Sequence, residues 1–318
     1  MNPRSRREFL RVAAVAGWGA ACSSDRSDAP PQGSPLPEQP DRHRMKLSMS
    51  ARVAESFFNK KESSMTIDEL IALARSNGYQ ALCMRASTAG IHSSEGTVRD
   101  YAGKIRDAGL DVSMATGDFK IPTNGDDGPD ALRNITPYLD LADSFGADLI
   151  RVCMKKDDDV EWARKASDEA GERGIRIAHQ SHCASLFETI EGTADVLARV
   201  DRSNFGLIYE PANWMVVGED YGPETIRRLK PWIFNVYVQN HRLNPDAETK
   251  LTTWKHGPVG VDHIGIWEDG GVRFDEVFAT LDEIGYAGYV TVHQAFKGVM
   301  TVDEAVRRSA DYLKTVIV

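Results

Sequence analysis

What this chain has little of narrows its function first. The apolar run from Val12 to Ala21 stops well short of a membrane span, since a helix needs about 20 apolar residues to cross a bilayer. Basic residues are outnumbered, 38 Lys and Arg against 47 Asp and Glu, and the net charge of −9 argues against nucleic acid as a partner. A DNA-repair endonuclease is excluded with it, for want of a basic groove and of many acidic and histidine ligands. Cysteine is sparse as well. Beyond Cys22 only Cys83, Cys153 and Cys183 remain, an odd number that cannot all pair. They read as small buried hydrophobes, with a Cys153–Cys183 bridge as the alternative in an oxidising compartment. No glycine-rich phosphate loop follows an early strand, which counts against a doubly wound nucleotide-binding sheet.

The N-terminus carries a targeting pattern. Ser5-Arg6-Arg7-Glu8-Phe9-Leu10 precedes the apolar run and resembles a twin-arginine export signal, and Gly19-Ala20-Ala21-Cys22 resembles a lipobox. Residues 1–22 are therefore expected to direct export to the periplasm of a bacterium, with Cys22 as a lipid anchor and the only link to a membrane. Residues 23–45, rich in Pro, Ser, Asp and Gln, read as a disordered tether.

From Met45 one pattern recurs: an amphipathic helix, a glycine, then a short apolar strand. SNGYQALCM at Ser76, DAGLDVSMA at Asp107, SFGADLIRVCM at Ser144, ERGIRIAHQ at Glu172 and EIGYAGYVTVHQ at Glu283 are five copies. Glycine suits the left-handed residue that closes a helix. Thr66 and Thr301 open predicted helices as capping boxes, and Pro129 and Pro223 fall in first turns. Strands are predicted at Lys46–Ala51, Ala81–Arg85, Asp111–Ala115, Leu149–Met154, Arg176–Gln180, Phe205–Glu210, Ile233–Gln239 and Tyr289–His293, each followed by a helix. Eight such units make one (β/α)8 TIM barrel, an α/β single domain over residues 46–318.

Four strands in the second half end in polar groups: GIRIAHQSH, FGLIYEPAN, IFNVYVQNH and YVTVHQAF. Burying such groups unpaired costs about 1–3 kcal/mol each, so they are expected to face a cleft. In a barrel that cleft lies at the C-terminal ends of the strands. Alternation puts Asn235, Tyr237 and Gln239 on one face, and Tyr289, Thr291 and His293 likewise. Only one of His179 and Gln180 can point inward, and Gln180 is the expected one.

With those residues in view, the chain from about Lys46 onward resembles the sugar phosphate isomerase/epimerase group, the xylose isomerase-like barrels. The stretches that carry the resemblance are Gly174 to Glu188, Asn204 to Met215, and Gly270-Gly271-Val272-Arg273-Phe274 leading to Gly285-Tyr286-Ala287-Gly288-Tyr289. It implies a divalent ion held by a Glu, an Asp, a His and a Glu on strands five to eight, with a proton moved between adjacent carbons through an enediol. At those positions this sequence has Gln180, Glu210, Tyr237 and His293. The surviving metal-ligand candidates are Gln180, Glu210, His182 and His293, with His179 and His241 nearby. That set is richer in nitrogen and favours Mn, Zn or Fe over Mg.

His293, Glu210 and His182 are the catalytic candidates, for proton transfer next to a carbonyl of a sugar, keto-sugar or uronate. Arg151 is the salt-bridge partner Glu210 would have if it were merely structural. Arg52, Arg85, Arg151 and Lys155, together with Lys156, suggest an anionic carbohydrate. Asn213, Trp214, Gln239, His241, Arg242 and Gln294 complete the substrate-binding candidates, Trp214 either as a surface for ring stacking or, equally, as loop packing. Competing readings are a carbohydrate-binding lipoprotein without catalysis and a metal-dependent lyase or hydrolase. The sequence is compatible with a monomer or an oligomer.

Overall fold

The computed structural model describes residues 45–296 and 298–317. The export signal, the lipobox and almost all of the expected tether fall on residues 1–44, outside the described residues. From Lys46 the chain forms a closed eight-stranded parallel barrel. Its first seven strands are β1 (Lys46–Ser50), β2 (Ala81–Arg85), β3 (Asp111–Thr116), β4 (Leu149–Val152), β5 (Arg176–Gln180), β6 (Phe205–Tyr209) and β7 (Ile233–Val238). A three-stranded antiparallel sheet comes next, β8 (Asn240–Leu243), β9 (Lys250–Thr253) and β10 (Gly257–Ile264), before β11 (Tyr289–Val292) closes the barrel between β7 and β1.

The glycine pattern has the expected cause. Gly78, Gly109, Gly146, Gly174 and Gly285 all take positive φ, between 68° and 80°, where each helix hands over to its strand. Thr66 forms the complete capping box with Glu69, whereas Thr301 forms only half of one, accepting from the Glu304 backbone. Pro223 opens its helix, and Pro129 stands one residue before Asp130–Arg133. Two expectations need correction. The seventh strand is followed by the antiparallel sheet rather than directly by a helix, and five strands stop one or two residues early, so Met154, Glu210, Gln239 and His293 lie beyond the ladder.

Inside the barrel, Cys83, Met114, Leu149, Ala178, Ile208 and Tyr237 form an apolar plug. The Tyr237 hydroxyl lies 3.3 Å from Cys83 Sγ. A second and larger core joins the strands to the helices around Leu70, Leu139, Leu197, Phe278 and Leu313. Side chains in a strand repeat their direction every two residues, so the next inward layer toward the strand C-termini is set by the plug. It reads Arg85, Arg151, Gln180, Glu210 and Gln239, two positions beyond Cys83, Leu149, Ala178, Ile208 and Tyr237. A layer of chemistry thus sits directly on a sealed apolar floor.

Candidate active site

Above that floor opens a cavity of about 420 Å³, of a size suited to a small metabolite. Arg52, Lys60, Arg85, Arg151 and Lys155 line it on one side, and Gln180, His182, Asn213, Gln239, His241 and His293 on the other. Among the described residues no Asp or Glu lines it.

The cationic wall is built on Glu55, a residue that no sequence pattern singles out. Arg52 sits in the 3-10 turn Ala51–Ala54 after β1, its backbone N–H donating to Ser50 Oγ. Its Nη1 donates to Glu55 Oε2 at 3.0 Å, and Arg85 grips the same carboxylate through Nε (2.7 Å) and Nη2 (3.0 Å). Burial works against charge on all three. The two arginines nevertheless hold Glu55 below the usual carboxylate range, while burial and the neighbouring Arg85 bring Arg52 down to about 10. Arg85 Nη1 is left buried without a partner. Arg151 is only 3% exposed and makes no hydrogen bond or ion pair among the described residues. The salt bridge that a merely structural Glu210 would make with Arg151 is not formed. Lys60 donates to the Pro122 carbonyl at 2.7 Å, and burial followed by Arg52, Arg85 and Arg151 lowers it to about 7.

The opposite wall is neutral. Glu210 is fully buried, bonded by the Gln180 carboxamide and by Asn213 Nδ2 at 2.6 Å. Burial pushes its carboxyl up to about 8 in spite of Gln180 and Arg151, so it is mostly protonated at pH 7. His182 Nδ1 donates to the Cys183 carbonyl at 2.8 Å, which leaves Nε2 as the basic nitrogen. His293 stacks flat on Tyr237, centroids 3.8 Å apart, with Nδ1 3.1 Å from Ser50 Oγ. Burial, then Arg151 for His182 and Arg85 for His293, hold both imidazoles well below 6.5 and therefore neutral. His241 pairs with His263, Nδ1 to Nδ1 at 3.0 Å, and burial lowers it to about 3.

Ten of the sequence candidates meet at this cavity: Arg52, Arg85, Arg151, Lys155, Gln180, His182, Asn213, Gln239, His241 and His293. Glu210 lies just beneath them. Three others are elsewhere. Trp214 is fully buried with its indole N–H on the Phe187 carbonyl (3.1 Å), packed in the helix Pro211–Val217 instead of facing a ligand. Arg242 is exposed and donates to the Asp269 carbonyl. Gln294 ties the Asn240 N–H to the Ile264 carbonyl, joining the antiparallel sheet to the barrel. His179 turns outward onto Phe187, and Lys156 is exposed. Cys83, Cys153 and Cys183 are free and buried.

The antiparallel sheet adds Leu251, Thr252 and Trp254 to the rim. Glu188 holds this hairpin by accepting the backbone N–H groups of Trp254 and Lys255, both at 2.8 Å, as well as that of Ala184. Trp254 is 52% exposed, and Lys155 Nζ lies 5.4 Å from its ring centre. No local signal in the sequence marks Glu55, Lys60, Glu188 or Trp254 as site residues.

These donors do not fit a divalent cation. Among the described residues no three His, Cys, Asp or Glu side chains come together as ligands would. The carboxyl of Glu210 is already hydrogen-bonded and mostly uncharged at neutral pH, and five cationic side chains line the space an ion would enter. The expected set of Gln180, Glu210, His182 and His293 for Mn, Zn, Fe or Mg is not assembled.

Comparison with known proteins agrees with the fold. No protein of curated function matches the chain. Solved structures that do match include a probable 3-DHS dehydratase, AsbF, from Bacillus anthracis, 16% identical over 85% of this chain and 99% of that one, TM-score 0.64. D-psicose 3-epimerase from Clostridium cellulolyticum H10, solved with D-tagatose, is 14% identical over 86% and 99%, TM-score 0.64. A xylose isomerase-like TIM barrel protein from Mycobacterium smegmatis, in complex with magnesium, is 14% identical over 86% and 96%, TM-score 0.62. At such identities the likeness is one of fold. The family model described as xylose isomerase-like TIM barrel matches residues 71–316, and the chain belongs to that family.

Proposed function

We propose that this protein is a sugar isomerase or epimerase that moves a proton next to the carbonyl of a sugar, keto-sugar or uronate. The observation that carries the reading is that two neutral imidazoles, His182 and His293, line one cavity at the mouth of the barrel together with the carboxamide of Gln239. A neutral imidazole accepts a proton from carbon only if the charge left on oxygen is stabilised. The Gln239 carboxamide, which lines the cavity beside the two histidines, supplies that stabilisation. His182 Nε2 takes the proton from carbon and the imidazolium so formed returns it at the neighbouring carbon, while His293, as a neutral imidazole, relays the hydroxyl proton between the two substrate oxygens. Glu210, having no exposed atom, acts through Gln180 and Asn213 as a positioning residue. Export on the twin-arginine segment, with Cys22 as lipid anchor, belongs to the same proposal and rests on Arg6-Arg7 and Gly19 to Cys22.

The test is solvent exchange. Ketoses, aldoses and uronates are incubated with the protein in D2O and followed by proton NMR at the carbon next to the carbonyl. Exchange is expected with at least one substrate, falling roughly 100-fold or more in His293→Ala and in His182→Ala, the usual scale of a lost acid–base group. No exchange across the panel, with sugar still bound, would instead identify a carbohydrate-binding protein. The concealment of Glu210 behind carboxamides is what favours that second reading.

A further inference from the structure

Arg151 presents a problem that the rest of the fold does not solve. Buried guanidinium groups are retained where an anion compensates them, since an uncompensated buried charge destabilises the folded state. Glu55 compensates Arg52 and Arg85 together, a single carboxylate for two cations. Arg151 has no hydrogen-bond or ion-pair partner among the described residues, and the Glu210 carboxyl near it is mostly uncharged at neutral pH, although Arg151 lines the cavity and its Nε is fully enclosed. Arg85 Nη1 is orphaned in the same way, and Lys60 has only a carbonyl oxygen as partner. Arg151, Arg85 and Lys60 thus line one cavity with less negative charge than they need, in a protein whose net charge is −9. The missing partner has to arrive with the ligand.

Building on the reading of this cavity as a sugar site, we propose that the substrate is a sugar acid whose carboxylate binds against the guanidinium of Arg151, with Arg85 and Lys60 lining the same cavity. Flat guanidinium groups suit a flat two-oxygen anion. Phosphate cradles are commonly built from backbone N–H groups in glycine-rich turns or at helix N-termini, whereas the charged groups on this wall are all side chains. The carboxylate end faces the first half of the barrel, which leaves the hydroxyl and carbonyl carbons beside the carboxamides and imidazoles of the second half.

The proposal is tested by calorimetry at low ionic strength with D-glucuronate, D-glucose and D-glucose 6-phosphate, on the wild-type protein and on Arg151→Met and Arg151→Lys. Glucuronate is expected to bind at least tenfold more tightly than glucose. Arg151→Met should lose that preference while its glucose affinity changes less than threefold, and Arg151→Lys should keep part of it. Without ligand, Arg151→Met should also melt at a higher temperature than wild type, because it removes a buried charge that lacks a partner; an arginine held for packing alone would give the opposite shift. Equal affinity for glucuronate and glucose in the wild type would overturn the proposal, and so would an unchanged preference in Arg151→Met. A tenfold preference for glucose 6-phosphate over glucuronate would overturn the carboxylate assignment in favour of a phosphate. Glucuronate binding without deuterium exchange leaves this inference standing and sinks the isomerase reading. Exchange on neutral sugars with no preference for the acid does the reverse.

Discussion

The two halves of the barrel contribute unlike walls to one cavity. Strands β1, β2 and β4 and the loops after them supply Arg52, Lys60, Arg85, Arg151 and Lys155, whereas β5 onward supplies carboxamides and imidazoles. The first wall is charged and short of counter-charge, and the second is neutral, with Glu210 and the histidines all shifted toward their uncharged forms. Recognition and proton transfer are thereby separated in space. An anion can be held firmly on one side without freezing the proton-accepting groups on the other.

The comparison breaks most severely at Glu55. Glu55→Gln would leave Arg52 and Arg85 buried without their carboxylate, and loss of one partner from a buried pair costs about 3–5 kcal/mol. Urea denaturation should show a loss of that order; a loss below about 1 kcal/mol would mean that water already compensates the two arginines. Next in size is a pH effect. As pH falls from 9 to 6, Glu210 (about 8), which faces Arg151, Lys60 and Gln180, becomes neutral. Lys60 (about 7), which faces Arg52, Arg85, Arg151 and Glu55, becomes protonated. Both steps add positive charge to the cavity. A uronate carboxylate stays ionised throughout, so its affinity should rise roughly tenfold over that range. Affinity that is flat, or that falls, would contradict the assignment of these two groups. The smallest effect is expected at the rim, where Trp254→Ala should weaken acidic and neutral sugars alike by about threefold through lost stacking. A larger loss for acids alone would move Trp254 into the recognition wall by way of Lys155.

Much of the barrel is legible from strand periodicity and helix-ending glycines, because both are local. The inward course of Gln180, Gln239 and His293 follows from the same periodicity. The errors share one physical cause. Trp214, Arg242 and Gln294 directly follow Asn213, His241 and His293, but on a strand the next residue points to the opposite face, and on a helix it is turned by about 100°. Glu55, Lys60 and Trp254 escape a sequence reading for a different reason. Their positions depend on contacts such as Arg85 with Glu55, 30 residues apart, and Glu188 with the Trp254 backbone, 66 residues apart, which no local pattern encodes. The charge of the first wall displaces the expected metal site, and that charge can be added up only once the loops are folded.

The division between the walls is most directly tested by steady-state kinetics of deuterium exchange on a uronate, with Arg151→Met and His293→Ala measured side by side. Arg151→Met should raise KM roughly tenfold or more with kcat nearly unchanged, and His293→Ala should lower kcat by about 100-fold or more with KM nearly unchanged. If both substitutions act on the same parameter to the same degree, the two walls are one functional unit and the account is wrong.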